Sequence, residues 1–385
     1  MLLQARVPNL VASSAVTQTL ARSSVGAGLQ KRHASDVTVR NQNAQPVVRL
    51  GLTGRSSVSG HVATVFGATG FLGRYLVNRL GKKGTKVVVP YRCHEDEKRH
   101  LKLMGDLGQI VFMDYDVRNY DQIVDSVKHS DIVYNFIGRN YPTKNFSFQG
   151  VHVDAARNIA RACQEAGVPR LVHLSALGAQ EGSPSQFLHT KALGEAAVRQ
   201  MYPEATIVRP GTLIGFESAL LNRIGTFRKA LFTTNHNQQI MRPVDVADVA
   251  LALDVMMSEE YTLGQTYELY GAKPYTYQDI LNVCSNLFRE KVTTINVPKP
   301  LIKAVTTAMQ YWIYPMLSPD EVERMFIDQV PSQDPHVKTF ADLGIEPRNF
   351  ELTVLPYIRH YRKPAYHEVP LEPKGTRTFG KHHTY

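Results

Sequence analysis

Three glycines at fixed spacing are the residues of this 385-residue chain with the clearest chemical use. Gly67, Gly70 and Gly73 follow the apolar run 62–66 and precede a helical pattern. Gly67 allows a sharp turn out of a strand, Gly70 lets the backbone approach a pyrophosphate, and Gly73 lets the next helix pack closely. Unpaired N–H groups at that helix start attract anions. The pattern predicts a dinucleotide site, the alternative being a structural turn.

Two arginines near this motif indicate which dinucleotide it holds. Arg92 follows the second predicted strand, where an acidic residue binds the ribose hydroxyls of NAD and an arginine favours the additional phosphate of NADP. Arg92 alone is equally compatible with a solvated surface position. Together with Arg74 it predicts NADPH. The loop residues expected to contact this cofactor are Gly67, Thr69, Gly70, Phe71, Leu72, Gly73 and Arg74.

Further contact residues are expected where later strands end. Asp116 and Val117 follow the third strand and are placed to meet the adenine edge. Ile137 and Gly138 follow the fourth strand, where a small residue lets the nucleotide backbone pass closely. Pro210, near the end of the sixth strand, completes the predicted set of loop contacts.

These residues are positioned by strands and helices that alternate along the chain. The alternation predicts an α/β fold, a Rossmann-like doubly wound parallel sheet covered on both faces, with the ligand at the carboxyl ends of the strands. The predicted strands are 62–66, 86–89, 109–113, 131–137, 170–174 and 205–208. The predicted helices between them are 71–82, 95–104, 119–128, 151–166 and 188–201.

The remainder of the chain divides into four further segments. Residues 1–35 contain four basic residues and no acidic one, which is typical of a mitochondrial transit peptide, the alternative being a disordered arm. A linker arm is expected at 36–60 and the NAD(P)-binding domain at 61–255. A smaller, mostly helical docking region is expected at 256–361, and an extended basic tail at 362–385.

From about residue 211 the alternation loosens, and helices are predicted from Pro243, at 276–289, at 299–313 and at 319–328, with a strand at 265–270. Residues 309–317 are unusually apolar and aromatic, and two lysines precede them. Ordinary core packing explains such a segment as well as contact with a membrane interface or a partner helix does.

The composition excludes several classes of protein. The net charge of +10 falls to +6 without residues 1–35, which suits an anionic lipid surface or an acidic partner. The sequence contains no stripe of Arg and Lys with interleaved aromatic residues, which would argue for nucleic-acid binding. It also contains no run of about 18 or more apolar residues, the length needed to span a membrane, so membrane contact is expected to be peripheral. The three cysteines are expected to be reduced thiols, and no His or Cys spacing predicts a metal site.

Residues 60–255 resemble the short-chain dehydrogenase/reductase superfamily, in its extended and atypical branch. That resemblance implies a Ser-Tyr-Lys catalytic group, whose phenol passes a proton while hydride moves to or from nicotinamide. Ser175 and Lys191 match the group, but Phe187 stands at the tyrosine position, and no tyrosine of the chain is followed by a lysine four residues later. The group is therefore a degenerate remnant with no catalytic residue, in which Ser175 and Lys191 are still expected to contact the cofactor. His189 is either a substitute acid or a surface histidine.

A closer resemblance covers nearly all of the chain after the transit segment. The chain is similar to the dehydrogenase-like accessory subunits of mitochondrial NADH:ubiquinone oxidoreductase, respiratory complex I. The resemblance implies that the chain holds NADPH without turnover, bound to other complex I subunits. It also implies a peripheral position on the matrix side of the inner membrane, near the membrane arm and the ubiquinone entrance. It rests on the segments 91–93, 104–109, 137–139, 143–146, 191–195, 322–325 and 342–345.

A different class of function is the alternative. The chain would then be a free mitochondrial NADP-dependent reductase or epimerase of the extended type, against which Phe187 is the main argument. An RNA-binding relative of the same fold is a third possibility, which the absence of a basic aromatic surface disfavours.

Overall fold

A computed structural model describes residues 58–309 and 317–362, together with the backbone strands Val37–Val39 and Pro46–Val48, which pair antiparallel within the predicted linker arm. The transit peptide predicted at 1–35, residues 310–316 of the aromatic segment and residues 363–385 of the predicted tail lie outside the described residues.

A parallel sheet of eight strands forms the centre of the molecule. In chain order the strands are β1 (Val62–Phe66), β2 (Lys86–Tyr91), β3 (Ile110–Asp114), β4 (Ile132–Asn135), β5 (Arg170–Leu174), β6 (Thr206–Pro210), β7 (Thr266–Leu269) and β8 (Val337–Lys338). Their spatial order is β8-β7-β6-β5-β4-β1-β2-β3, and every neighbouring pair is parallel. The winding direction reverses between β1 and β4, and such a reversal opens a crevice at the carboxyl ends of the strands.

Helices cover both faces of the sheet. In chain order they are α1 (Phe71–Lys82), α2 (Glu95–Lys102), α3 (Tyr120–Val127), α4 (Ala155–Glu165), α5 (Gln186–Met201), α6 (Ala219–Thr226), α7 (Val246–Ser258), α8 (Tyr277–Phe288), α9 (Lys299–Met309), α10 (Pro319–Arg324) and α11 (Phe350–Ile358). Short 3₁₀ turns occur at Asn235–Asn237, Glu260–Thr262, Ala341–Leu343 and Arg359–Tyr361.

Alternate residues of the strands feed two separate cores, because side chains of a strand point to opposite faces in turn. On β1, Ala63 and Val65 pack with α1 and α7, whereas Phe66 packs with α3 and α4. Both faces of the sheet are therefore buried, which explains why its strands are nearly continuous apolar runs. The predicted doubly wound fold is confirmed.

Several predicted elements of this domain differ from the observed ones at their ends, as two of them illustrate. The strand predicted at 131–137 ends at Asn135, because the Asn135 side chain accepts a hydrogen bond from the Ile137 N–H at 3.1 Å and turns the chain. The helix predicted at 151–166 begins as a π-helix at Gly150–Asp154 and becomes α-helical only at Ala155.

The helix predicted to start at Pro243 was wrong at its start. Val244 and Asp245 form a short strand that pairs in parallel with Leu213–Ile214. The helix begins at Val246, because the Asp245 carboxylate accepts a hydrogen bond from the Ala247 N–H at 2.8 Å and caps it. The capping signal is present in the sequence, two residues after the proline at which the helix start is predicted.

The boundary predicted at residue 255 does not coincide with a break in the sheet, because β7 and β8 come from beyond it. A third core also crosses this boundary, because α6 lies before residue 255 and packs with α8 and α11 from beyond it. Two of those helices, α6 and α11, were not predicted, and the helix predicted at 319–328 ends at Arg324. The other short strand pairs are Leu231–Thr233 with Thr294–Asn296 and Ile240–Met241 with Tyr275–Thr276.

Two further sequence expectations can be compared with the described residues. Cys93, Cys163 and Cys284 are free thiols, as predicted. Across residues 58–309 and 317–362, no helix is long and apolar enough to cross a membrane, and no group of three His, Cys, Asp or Glu side chains is arranged to hold a metal.

An ion pair joins the two helices that cover one face of the sheet. The Asp254 carboxylate on α7 is 1% exposed and lies 2.9 Å from Nε of Arg79 and 2.7 Å from Nζ of Lys83, both near the end of α1. A buried carboxylate is costly to leave unpaired, so this contact ties α1 to α7 in addition to the packing of their apolar side chains.

We expect Asp254→Asn to lower the free energy of unfolding by about 1.5–3 kcal/mol, because it removes a charge-assisted contact to two cations at a buried position. Denaturant unfolding of the full chain measures the change. Asp96→Asn is the control, since its pair with Arg99 is about three-quarters exposed on both sides and is worth less than about 1 kcal/mol. Equal effects of the two substitutions would contradict a structural role of Asp254.

Candidate functional site

The turn after β1 requires glycine at two of the predicted positions. Gly67 has φ +76°, in the left-handed region. A Cβ on Gly73 would lie 2.5 Å from the Gly67 carbonyl oxygen and 2.6 Å from Cα of Ala68. Gly70 donates its N–H to that same carbonyl at 3.0 Å. Helix α1 therefore starts in direct contact with the turn.

The start of α1 is open to an anion. Gly70 occupies its N-cap position and offers no side chain to cap it, and no acidic residue lies in the first turn. Phe71 and Leu72, the first two residues of α1, line the adjacent cleft. Their N–H groups have no intrahelical acceptor at this position, so they and the helix dipole favour a phosphate there.

A cleft of about 550 Å³ lies at the carboxyl ends of β1, β4, β5 and β6. This volume is within the usual range for small-molecule sites. The cleft lies where the strand order reverses, as expected for the ligand crevice of a doubly wound sheet. The structure brings together on its wall the predicted residues Gly67, Gly70, Phe71, Leu72, Gly73, Gly138, Ser175, Lys191 and Pro210.

The other predicted contact residues lie outside this cleft. Asp116 is exposed beyond β3, where its carboxylate accepts a hydrogen bond from the Arg118 N–H at 3.0 Å, while Val117 is buried. Arg92 is exposed beyond β2, and Ile137 donates to the Asn135 side chain. Strands β2 and β3 continue the sheet from β1. In a sheet of this kind the adenosine half of a bound dinucleotide lies beyond these strands, so that half, and not the nicotinamide, is expected near Arg92, Asp116 and Val117.

Arg74 is committed to a carboxylate that sequence reasoning missed. Its Nη1 lies 2.9 Å from Oε1 of Glu217, and its Nη2 donates to the Thr69 carbonyl at 3.0 Å. Tyr75 donates its hydroxyl proton to the other oxygen of Glu217, and burial together with Glu217 raises the pKa of Tyr75 to about 12. Arg74 thus ties α1 to the loop that holds Glu217, and the predicted Arg74–phosphate contact stays a prediction.

Two residues of the expected catalytic group lie at the cleft with unusual polar environments. The Ser175 side chain is 4% exposed, and its Oγ has no hydrogen-bond partner among the described residues. Lys191 is equally buried and donates from Nζ to the Leu174 carbonyl at 2.9 Å. Burial lowers the pKa of Lys191 to about 8, although the Glu195 charge acts in the opposite direction.

The ring of Phe187, at the sequence position where the resemblance implies a tyrosine, is enclosed on two sides. His152 packs edge-on against it at 5.2 Å between centroids, and the Arg324 guanidinium carbon lies 4.4 Å from its centroid. His152 is held by Thr190 and by the Arg139 N–H, and burial lowers its pKa to about 2, so the imidazole is neutral.

His189 is not among the described residues that line the cleft. Its Nδ1 is hydrogen-bonded to the Glu181 carbonyl, outside the cleft wall. Among the described residues that line the cleft there is no tyrosine.

The outer half of the cleft is built by α6 and the segment 321–329, which the sequence did not connect with the site. Asp320 fixes this segment, because its carboxylate accepts hydrogen bonds from the Ser185 hydroxyl at 2.9 Å and the Gln186 N–H at 2.7 Å. Both donors lie at the start of α5, the helix that carries Phe187 and Lys191. Arg324 also bonds to the Asn140 carbonyl and lies 3.4 Å from Asp320.

Comparison with known proteins agrees with this geometry. Residues 67–253 match a family model described as NAD(P)H-binding. The chain is 45% identical over 344 residues to the mitochondrial NADH-ubiquinone oxidoreductase 40 kDa subunit of Neurospora crassa, which covers 89% of this chain and 90% of that protein. It is 39% identical over 322 residues to the mitochondrial NADH dehydrogenase (ubiquinone) 1 alpha subcomplex subunit 9 of Mus musculus, covering 82% and 84%.

The chain belongs to this family of mitochondrial NADH-ubiquinone oxidoreductase subunits. The family resemblance expected from the sequence is confirmed, and so is the expectation of a nicotinamide-dinucleotide domain.

Solved structures share the fold at low identity. A triphenylmethane reductase of Citrobacter sp. superposes with a TM-score of 0.60 and 17% identity, covering 77% of this chain and 99% of that chain. A quinone oxidoreductase of Escherichia coli, solved with NADPH, also gives a TM-score of 0.60, with 18% identity over 77% and 99%. These likenesses show the doubly wound fold alone.

We expect Lys191→Met to stabilise the nucleotide-free protein at pH 7 by about 1–3 kcal/mol, because it removes a buried charge at the cost of one hydrogen bond. The native pKa of about 8 lies below the ordinary 10.5. The unfolded chain thus binds more protons between these values, and the Lys191 contribution to stability rises with pH. The advantage of Met should therefore shrink from pH 8 to 10.5. Denaturant unfolding at each pH measures it.

Lys273 is exposed, so Lys273→Met is the matched control. Its effect on the free energy of unfolding should not change with pH in this range. A pH-independent loss of stability in Lys191→Met would mean that folding favours the charged amine, which would contradict the pKa argument.

Proposed function

We propose that this chain is an accessory subunit of mitochondrial NADH-ubiquinone oxidoreductase, complex I, in which bound NADPH has a structural and not a catalytic role. The observation that carries the non-catalytic part is Phe187 with Arg324 over its ring. The family membership supports the assignment to the complex, and the glycine turn and cleft support the cofactor.

The chemistry of reduction explains why Phe187 matters. Hydride transfer to a carbonyl needs a proton at the oxygen, and a phenyl ring has none to give. General acid catalysis supplies about 100- to 10,000-fold in rate. Ser175 and Lys191 line the same cleft as Gly138, and the Arg324 guanidinium carbon lies 4.4 Å from the centroid of the Phe187 ring. We infer that this guanidinium obstructs the approach of a substrate oxygen to a phenol at position 187.

Bound NADPH would join the two parts of the molecule. The cleft wall includes the β1 turn and α1 on one side and residues of 321–329 on the other. A ligand that binds only the folded state stabilises it by about 2.7 kcal/mol at a hundredfold excess over its Kd. The cofactor would therefore hold the C-terminal segments on the sheet. NADPH rather than NADH is our choice because Arg92 stands where NAD-binding domains carry an acid.

Exposed apolar side chains at the junction of the nucleotide domain and the C-terminal region supply a surface suited to docking. Phe232 and Ile295 pair across two short strands and are 61% and 44% exposed, and Leu301 and Val305 are exposed on α9. We assign this face to other complex I subunits and, at its edge, to lipid of the inner membrane. The proposal includes a peripheral position on the matrix side, where the chain supports assembly of the matrix arm near the membrane arm and the ubiquinone site.

The proposed segments of the chain are those expected from the sequence. Residues 1–35 would be removed as a transit peptide, residues 36–60 would link to the nucleotide domain, and residues 362–385 would bind a partner.

We expect Phe187→Tyr to leave NADPH oxidation at background with a panel of carbonyl, sugar-nucleotide and quinone substrates, because Arg324 still covers the introduced ring. The measurement is the loss of NADPH absorbance over time. The unsubstituted chain and the Phe187→Tyr/Arg324→Ala variant are assayed under the same conditions. Turnover by the unsubstituted chain that Lys191→Ala abolishes would instead support a free reductase or epimerase, which the retained Ser175 and Lys191 favour.

In native electrophoresis of gently solubilised mitochondria, we expect this chain to migrate with the core subunits of complex I. Cells lacking it should contain less assembled complex. Phe187→Leu should restore the level, because the proposed role needs no proton donor, whereas Lys191→Met should restore it only in part. Migration of the chain near its own mass, with a normal level of complex I in its absence, would refute the proposal.

A further inference from the structure

Two arginines and one aromatic ring meet beyond the carboxyl ends of β2, β3 and β4. The guanidinium carbons of Arg92 and Arg118 lie 4.8 Å and 4.3 Å from the centroid of the Phe146 ring. The two carbons are therefore at most about 9 Å apart. The three residues come from three successive strand-to-helix connections, so the fold, and not sequence proximity, brings them together.

Phe146 gives the group a fixed base. The Thr143 and Phe146 backbones bond to each other in both directions, at 2.9 and 3.3 Å, and close a tight turn. The ring packs against the core on the α3 and α4 face of the sheet. Arg118 also donates a guanidinium hydrogen bond to the Asn145 carbonyl. The positions of both guanidinium groups are thus restricted before any ligand arrives.

The charges of this group are available to an anion. Within residues 58–309 and 317–362, neither Arg92 nor Arg118 lies within ion-pairing distance of a carboxylate, and both are exposed. Arg74, the other cation expected to hold a phosphate, is by contrast paired with Glu217 at 2.9 Å. A phosphate is therefore expected to interact more favourably with Arg92 and Arg118 than with Arg74, whose charge is already balanced by Glu217.

We propose that Arg118 is a second ligand of the adenosine 2′-phosphate of NADPH and acts together with Arg92 over the ring of Phe146. The proposal rests on the proposed cofactor role. The ribose of a bound dinucleotide lies at the end of the second strand of such a sheet, within reach of both side chains. Guanidinium groups bind phosphate through paired, charge-assisted hydrogen bonds, and a phosphate monoester carries about 1.5–2 negative charges for two cations to balance.

The test is titration of the purified full chain with NADPH and with NADH. Arg118→Ala should weaken NADPH binding about tenfold or more, as the loss of a charge-assisted hydrogen bond predicts, and should leave NADH binding unchanged within about twofold. Arg118→Lys should weaken NADPH binding less, because it keeps the charge but not the paired geometry. Arg157→Ala, on a surface helix turn, is the control for the loss of one positive charge.

The outcomes separate this proposal from the cofactor role on which it rests. Unchanged NADPH affinity in Arg118→Ala, with a loss in Arg92→Ala, would overturn the proposal and leave NADPH as the cofactor. Equal weakening of NADPH and NADH would assign Arg118 to the adenine or to the fold, which also overturns it. Failure of the unsubstituted chain to bind either nucleotide would overturn the proposed cofactor itself. Equal thermal midpoints of the nucleotide-free variants establish that the substitutions leave the fold intact.

Discussion

The contact between the start of α1 and the turn after β1 is the constraint on which the rest of the structure depends. Only a glycine at position 73 allows the helix backbone to touch the Gly67 carbonyl. That contact aims uncapped N–H groups into the cleft and sets the height of α1 on the sheet. At this height α1 meets α7 through Asp254 and meets the Glu217 loop through Arg74. The contact of Gly73 with the Gly67 carbonyl therefore positions the anion site and also the ion pairs of α1 with Asp254 and Glu217.

The first half of the fold was predictable because its signals are local. Strand β1 and helix α1 have the predicted bounds, since an apolar run, a glycine turn and a helical period follow one another directly. Beyond residue 210 the prediction failed in detail. The short strands Leu213–Ile214 and Val244–Asp245 exist because they pair with each other, and no local pattern shows a partner thirty residues away.

The site divides in the same way. Gly67, Ser175 and Lys191 were found because each belongs to a motif with defined spacing. Glu217 and Arg324 were missed because tertiary packing brings them to Arg74 and to Phe187, while their own sequence neighbours carry no sign of it. Sequence reasoning could also single out Phe187 as a departure from the expected Ser-Tyr-Lys pattern, but it could not show that the Arg324 guanidinium lies over the ring.

The parallel pairing of β8 with β7 has a consequence for how the molecule forms. Strand β8 lies at residues 337–338, and the cleft wall includes residues 321–329, so both are made from the last part of the described chain. A polypeptide emerges from its N-terminus, and contacts between distant segments are slow to form. The glycine turn is therefore available early, whereas the closed cleft exists only after the chain has been synthesised through residue 329. Products that end before residue 321 would carry the motif without the completed pocket, which makes the folded cleft a mark of a chain that extends through the segment 321–329.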